Sequence, residues 1–113
     1  VDAALLIYTT FPDEETGLTI GEGLVREGLA ACVNVIPGMR SVYAWKGAVE
    51  RGAEVVGIVK TREGLREAAA ASLKAHHPYE TPVILFLSPS GAGAETLAWL
   101  LAETGGSADP VRK

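Results

Sequence analysis

The alternation of apolar and polar positions divides the chain into seven elements. Residues 3–10 (AALLIYTT) are apolar almost throughout, as expected of a central strand covered on both faces. Pro12 and Asp13 break that run. Glu14 and Glu15 follow where the positive end of a helix dipole favours carboxylates, so a helix is predicted from here to Gly28. Leu18, Ile20, Leu24 and Val25 supply its predicted apolar face, while Gly17, Gly21 and Gly23 each weaken it by up to about 1 kcal/mol relative to Ala. Ala30 to Trp45 and Ala48 to Thr61 both read as strand, joined at Lys46-Gly47 into a long hairpin. Thr61 is the predicted cap of a helix over 62–76, with Leu65, Ala69, Leu73 and His76 on one stripe, and Pro78 forces His77 out of the helical region. A fourth strand over 82–88 and a last helix carrying Leu97, Leu100 and Leu101, with Trp99 beside them, complete the order. The TGGSADPVRK end is expected to fray.

This order predicts an α+β fold, a ferredoxin-like split βαβ sheet with an extra C-terminal helix, as one domain over 1–104 with a flexible tail over 105–113. The hairpin outruns such a domain. Its strands would span roughly 50 Å, whereas a compact chain of this length has a radius of gyration near ~13 Å. Pro37-Gly38 predicts a bulge or bend, and the ribbon from Arg40 to Val55 should project beyond the sheet. Its free edge, with Val42, Tyr43 and Trp45, needs cover, which a closed ring of identical subunits would supply. The alternative is a strand ending near Ile36 followed by a compact loop.

Composition narrows the function classes. With 14 acidic residues against 10 basic ones and a net charge of -4, the chain lacks the basic face of a nucleic-acid binder. No apolar run approaches the ~18 residues of a membrane-crossing helix, so no membrane partner is predicted. The single cysteine, Cys32, excludes an intramolecular disulfide and makes the cytoplasm the expected location.

Cys32 shares a predicted strand face with Asn34. Pairing about Lys46-Gly47 brings it near Lys60 and Thr61 and sets Tyr43 opposite Glu50, with a shift of one across a bulge. A neighbouring Lys60 would favour the thiolate, the form that binds soft metals, although a free cysteine is as often a small buried hydrophobe. The adjacent His76 and His77 cannot act as an i, i+4 metal pair. His76 is expected to face the core or the helix dipole, and His77 to point off the scaffold toward Tyr79 and Glu80. Glu50, Glu54 and Glu80 are uninformative one by one. The topology puts His77 at the far end of the sheet from Cys32, so any site they share lies between subunits. One Cys and one or two His per chain make no self-contained zinc site, and no Walker loop, GxGxxG, GxSxG or HExxH occurs.

The blocks LAACVNVIPG, SVYAWKGAVE, IVKT and HHPYETP, in this order and spacing over about residues 4–101, resemble the CutA divalent-cation tolerance family. The resemblance implies a homotrimer related in shape to PII-type signalling proteins and a cytosolic role in tolerance of copper and other divalent metals. By position it implies Cys32 and His77 as copper ligands, with Trp45, Glu50, Lys60, Tyr79 and Glu80 around the cleft between subunits. It suggests a non-enzyme that binds Cu(II) or another divalent ion, with none necessarily held tightly. Two other readings remain: a PII-like module taking a small effector or an unknown partner protein in the cleft, and, ranked last, an enzyme with Cys32 as nucleophile and His77 as base.

Overall fold

The computed structural model describes residues 2–105, and every structural statement below concerns these. Its elements are β1 (Ala4–Phe11), α1 (Glu14–Arg26), β2 (Cys32–Trp45), β3 (Ala48–Arg62), a 3-10 turn (Glu63–Leu65), α2 (Arg66–His76), β4 (Leu85–Leu87) and α3 (Ala94–Glu103). The strands form one antiparallel sheet in the order β2-β3-β1-β4, the ferredoxin-like arrangement.

Strand alternation sorts the sheet into two faces. Leu5, Ile7, Thr9 and Phe11 of β1 and Val55, Val59 and Thr61 of β3 are buried, and the main core joins Leu24, Ala69 and Leu73 of α1 and α2 to this side. The opposite parity is mostly half-buried, as at Leu6, Tyr8, Ile58 and Lys60, with Thr10 buried at the end of β1. The first strand is therefore central, but within one protomer a single face is fully covered.

The Asp13 carboxylate caps α1 by accepting the Thr16 amide at 2.7 Å. At the other end Gly28, at φ +72°, supports paired bonds from its own amide to Val25 and from Leu29 to Leu24, the geometry of a Schellman stop. The apolar face of α1 is the predicted one in part: Leu24 is in the core and Ile20 packs against it. Leu18 and Val25 are exposed, and the helix packs through Gly17, Gly21 and Leu24. A Cβ on Gly17 would lie 2.8 Å from Phe11, and one on Gly21 3.0 Å from Val33, so glycine lets the helix approach the sheet more closely than side chains allow.

Thr61 does not cap the second helix. It ends inside β3, donating its buried hydroxyl to the Leu29 carbonyl at 2.7 Å, and the chain passes through the 3-10 turn before α2 starts without a side-chain cap. His76 is exposed rather than core-facing, with Nδ1 2.9 Å from the Ser72 carbonyl. The fourth strand is shorter than predicted, since only Leu85–Leu87 pair with β1 and their outer edge carries no further strand. Thr104, expected to fray, is buried: it bonds back to Leu100 and accepts from Arg62. The expected tail lies outside the described residues except for Gly105.

The hairpin projects as predicted. Lys46 (φ 48°) and Gly47 (φ 83°) take the paired positive φ values of a tight hairpin turn, and the molecule is 54 Å long for a radius of gyration of 15.1 Å. The register shifts between Ile36 and Met39, where Gly38 sits at φ +90°, so the bulge falls at Pro37-Gly38.

Candidate functional site

The register sets Cys32 opposite Lys60, which pairs in turn with Leu6, and sets Tyr43 opposite Glu50. Cys32 is half-buried on the outer edge strand. His77 instead lies over the end of β1, its Nε2 2.7 Å from the Thr10 carbonyl. Thr10 is four residues beyond Leu6, about 13 Å of strand rise, and β3 separates β1 from β2 by a further ~10 Å. One protomer keeps the cysteine and the histidine apart.

His77 does not point off the scaffold. It is 8% exposed, stacks on Phe11 at a centroid distance of 5.3 Å and accepts the Tyr79 amide on Nδ1 at 3.1 Å. A carbonyl at Nε2 and an amide at Nδ1 assign the Nε2–H tautomer. The extended, pre-proline backbone of His77 (φ -74°, ψ 137°) turns the ring back under the chain end of β1.

Tyr79 completes a polar cluster that no local motif announces. Its hydroxyl donates to Glu54 Oε2 at 2.7 Å, and the Ser41 hydroxyl donates to Glu54 Oε1 at 2.7 Å. Burial raises the Glu54 carboxyl, but the bonds from Ser41, Tyr79 and Thr10 outweigh it and hold the group below the usual carboxylate range. The same burial and the Glu54 charge push the Tyr79 phenol far above an ordinary tyrosine. Phe11 pairs with Val55, so Glu54 faces the opposite side of the sheet from Phe11, and the segment 77–81 passes around the end of β1 to touch both. Farther out, Glu80 stands 3.7 Å from Lys46 at the hairpin tip, whose ammonium lies 5.4 Å from the Trp45 ring. Tyr79 and Glu80 therefore meet the hairpin, whereas Cys32 and Lys60 occupy a separate region. Glu54, Ser41 and Thr10 gave no signal in the sequence beyond the register, which places Glu54 opposite Met39 just past the bulge.

Among the described residues no cluster of three or more His, Cys, Asp or Glu could hold a metal ion. Within the described residues, one protomer therefore brings together no complete ligand set for a metal centre. No helix of the described residues is long and apolar enough to cross a membrane.

A four-stranded antiparallel sheet under α1 and α2, overrun by its own β2–β3 hairpin, defines a ferredoxin-like α+β protein with an extended ribbon. The family model for the CutA1 divalent ion tolerance protein matches residues 5–103, and the chain belongs to this family. The chloroplastic protein CutA 1 of Oryza sativa subsp. japonica is 40% identical over 101 residues, covering 89% of this chain and 57% of the rice protein, so the chain spans little more than half of that relative. The divalent-cation tolerance protein CutA of Pectobacterium atrosepticum is 38% identical over 99 residues, 88% of this chain and 90% of the bacterial one. The crystal structure of the divalent ion tolerance protein CutA1 from Ehrlichia chaffeensis superposes with a TM-score of 0.88 at 32% identity, covering 92% of this chain and 97% of that one.

Proposed function

We propose that this chain acts in divalent-metal tolerance as a cytoplasmic homotrimer of PII-like shape that binds Cu(II) or a similar ion at sites shared between subunits, without catalysing a reaction. The observation that carries the reading is the overrun hairpin, with Val42 and Val49 70% and 80% exposed on a ribbon too thin to stand alone. The sheet face bearing Leu85, Leu87 and Ile36 is exposed as well, and neighbouring copies would cover both surfaces. Family membership and the divalent-cation tolerance role for which the Pectobacterium relative is named support the metal role. The chloroplastic name of the rice relative belongs to that protein, and the cytoplasmic location rests on cysteine usage.

Cys32 carries the metal assignment. It is a half-buried thiol on an edge strand that a second subunit can approach, with Lys60 as its cross-strand neighbour. Copper heads the divalent affinity series for nitrogen and sulfur ligands, so selectivity needs no dedicated cage. For His77 to join the same sphere, its ring would have to release Thr10 or the Tyr79 amide. Anaerobic Cu(II) titration of wild type and Cys32→Ser, with light scattering at low concentration, tests the reading. A trimer mass and loss of copper in the variant are expected; equal stoichiometry, or a folded monomer, overturns it.

A second reading is favoured by the way Tyr79 and Glu80 face the hairpin: a small effector or partner protein seated among Trp45, Glu50, Tyr79 and Glu80, with Lys60 contributed from another subunit. Ligand-induced thermal stabilisation that survives a chelator and disappears in Lys60→Ala would select it.

A further inference from the structure

We propose that the segment 77–81 is a strap that sets the direction in which the hairpin leaves the sheet, and that His77 is its rivet rather than a metal ligand. The hairpin needs such a device. Its outer half is attached to the sheet through a bulge, where the register slips between Ile36 and Met39 and Gly38 takes a positive φ. A bulge permits a two-stranded ribbon to bend, and backbone pairing alone does not fix by how much; the Tyr8 hydroxyl, 3.6 Å from the Met39 sulfur, is a weak tie across it.

The strap grips on both sides of that bend. On the sheet side, His77 is buried against Phe11 and donates from Nε2 to the main chain of β1 at Thr10. On the ribbon side, Tyr79 leans on His77 at a centroid distance of 4.7 Å and reaches Glu54, whose strand pairing with Met39 is the first past the bulge. Glu54 also takes the Ser41 hydroxyl, so one carboxylate ties together both ribbon strands and the strap. Pro78 narrows the backbone choices of His77 to the extended form it adopts, so little ordering is left to be done when the strap closes. The Lys46–Glu80 pair near the tip is exposed and adds little.

The same geometry makes the rivet and the ligand exclusive roles. A metal binds imidazole through a ring lone pair, and the one lone pair of this tautomer receives the Tyr79 amide. Coordination through Nδ1 would strand that amide, and coordination through Nε2 would strand the Thr10 carbonyl, undoing the anchor in either case.

Amide hydrogen exchange on the full chain tests the strap, using Tyr79→Phe and Glu54→Gln. Tyr79→Phe removes one hydroxyl and keeps the ring. Loss of a hydrogen bond to a charged group should speed exchange of the ribbon amides over 40–54 by roughly tenfold or more, with the amides of β1 unchanged. Ribbon exchange at the wild-type rate, or equal acceleration throughout the sheet, overturns the proposal. Cu(II) titration of His77→Gln, which keeps a donor toward Thr10 and removes the imidazole, tests the rivet: wild-type stoichiometry is expected, and loss of copper from this variant overturns it. The copper arm rests on the metal reading above. If the wild type takes up no Cu(II), that reading fails while the exchange arm still decides the strap.

Discussion

The Arg62 guanidinium grips the Asp2 carboxylate at 3.0 Å while its other nitrogens reach the Thr104 carbonyl and hydroxyl. One side chain near the end of β3 thus ties the start of β1 to the end of α3. Both members of the ion pair are largely shielded, at 19% and 25% side-chain exposure, so the contact is less screened than a surface pair. Arg62→Ala should cost about 2 kcal/mol in denaturant unfolding, because it removes several charge-assisted bonds and leaves the Thr104 carbonyl with no guanidinium. A cost within experimental error would show that water replaces the guanidinium fully.

Acid unfolding reports on the same carboxylate. Burial raises Asp2, but the Ala3 and Gly64 amides and the Arg62 charge outweigh it and hold the group below its ordinary value. With the folded pKa below the unfolded value of ~3.9, the stabilisation is fully present above that pH and is lost as pH falls through the folded pKa. Asp2→Asn should flatten the stability curve below pH ~4. It will not abolish the slope, since Glu54 and Asp13 are shifted the same way.

Two alanine substitutions in α1 should have opposite signs. A Cβ on Gly23 meets nothing within 4 Å, so Gly23→Ala should gain about 1 kcal/mol from helix propensity. At Gly17 the added methyl would press on Phe11 at 2.8 Å and on Val35 at 3.2 Å. The Phe11 ring is already held by His77 on another side and by Gly57, where a side chain would also strike it. Overpacking of about 1–3 kcal/mol therefore outweighs the propensity gain, and thermal unfolding of Gly17→Ala should fall below wild type.

These glycines mark where the sequence was legible and where it was not. The hairpin, its turn at Lys46-Gly47 and its bulge follow from local chemistry, since only a few residue types accept positive φ and strand alternation fixes the pairing. Half of the α1 face reads from the pattern: Leu24 and Ile20 pack as expected, but Leu18 and Val25 look like core and are exposed, and Gly17 and Gly21, with no side chain at all, complete the contact. Hydrophobic pattern cannot register a close approach of backbones. His77 was misdirected for a similar reason: a pre-proline residue is known to be extended, but which way its ring turns depends on the distant Thr10 and Phe11. The cluster around Glu54 joins Ser41, Glu54 and Tyr79, separated along the chain and brought together only by the finished fold.

Thr9 and Thr61 make a matched pair on neighbouring strands. Both are fully buried, yet Thr61 donates to Leu29 and the Thr9 hydroxyl has no partner among the described residues. Replacing an unsatisfied hydroxyl by a methyl removes a desolvation cost, so Thr9→Val should raise stability by about 1 kcal/mol. Thr61→Val should lower it by about 1–2 kcal/mol, because the Leu29 carbonyl loses its hydroxyl donor. Equal effects in chemical denaturation would indicate that Thr9 is satisfied in solution.

At alkaline pH the strap itself should become visible. The Tyr79 phenol is raised first by burial, then by its bond to Glu54 and by that carboxylate's charge, all of which oppose a second negative charge. For an acid whose folded pKa is raised, the neutral form belongs to the fold. Its contribution to stability is therefore complete below the unfolded value of ~10 and disappears as pH rises through the folded pKa. Tyrosinate absorbance should show a phenol that ionises well above the range of an ordinary tyrosine, and Tyr79→Phe should remove it, whereas Tyr43, raised by partial burial and by Glu50, should still titrate late in the variant. The variant should also lose part of its stability at neutral pH while showing a shallower alkaline decline. A Tyr79 that ionises near pH ~10 in the folded protein would mean that its hydroxyl does not face the Glu54 carboxylate in solution.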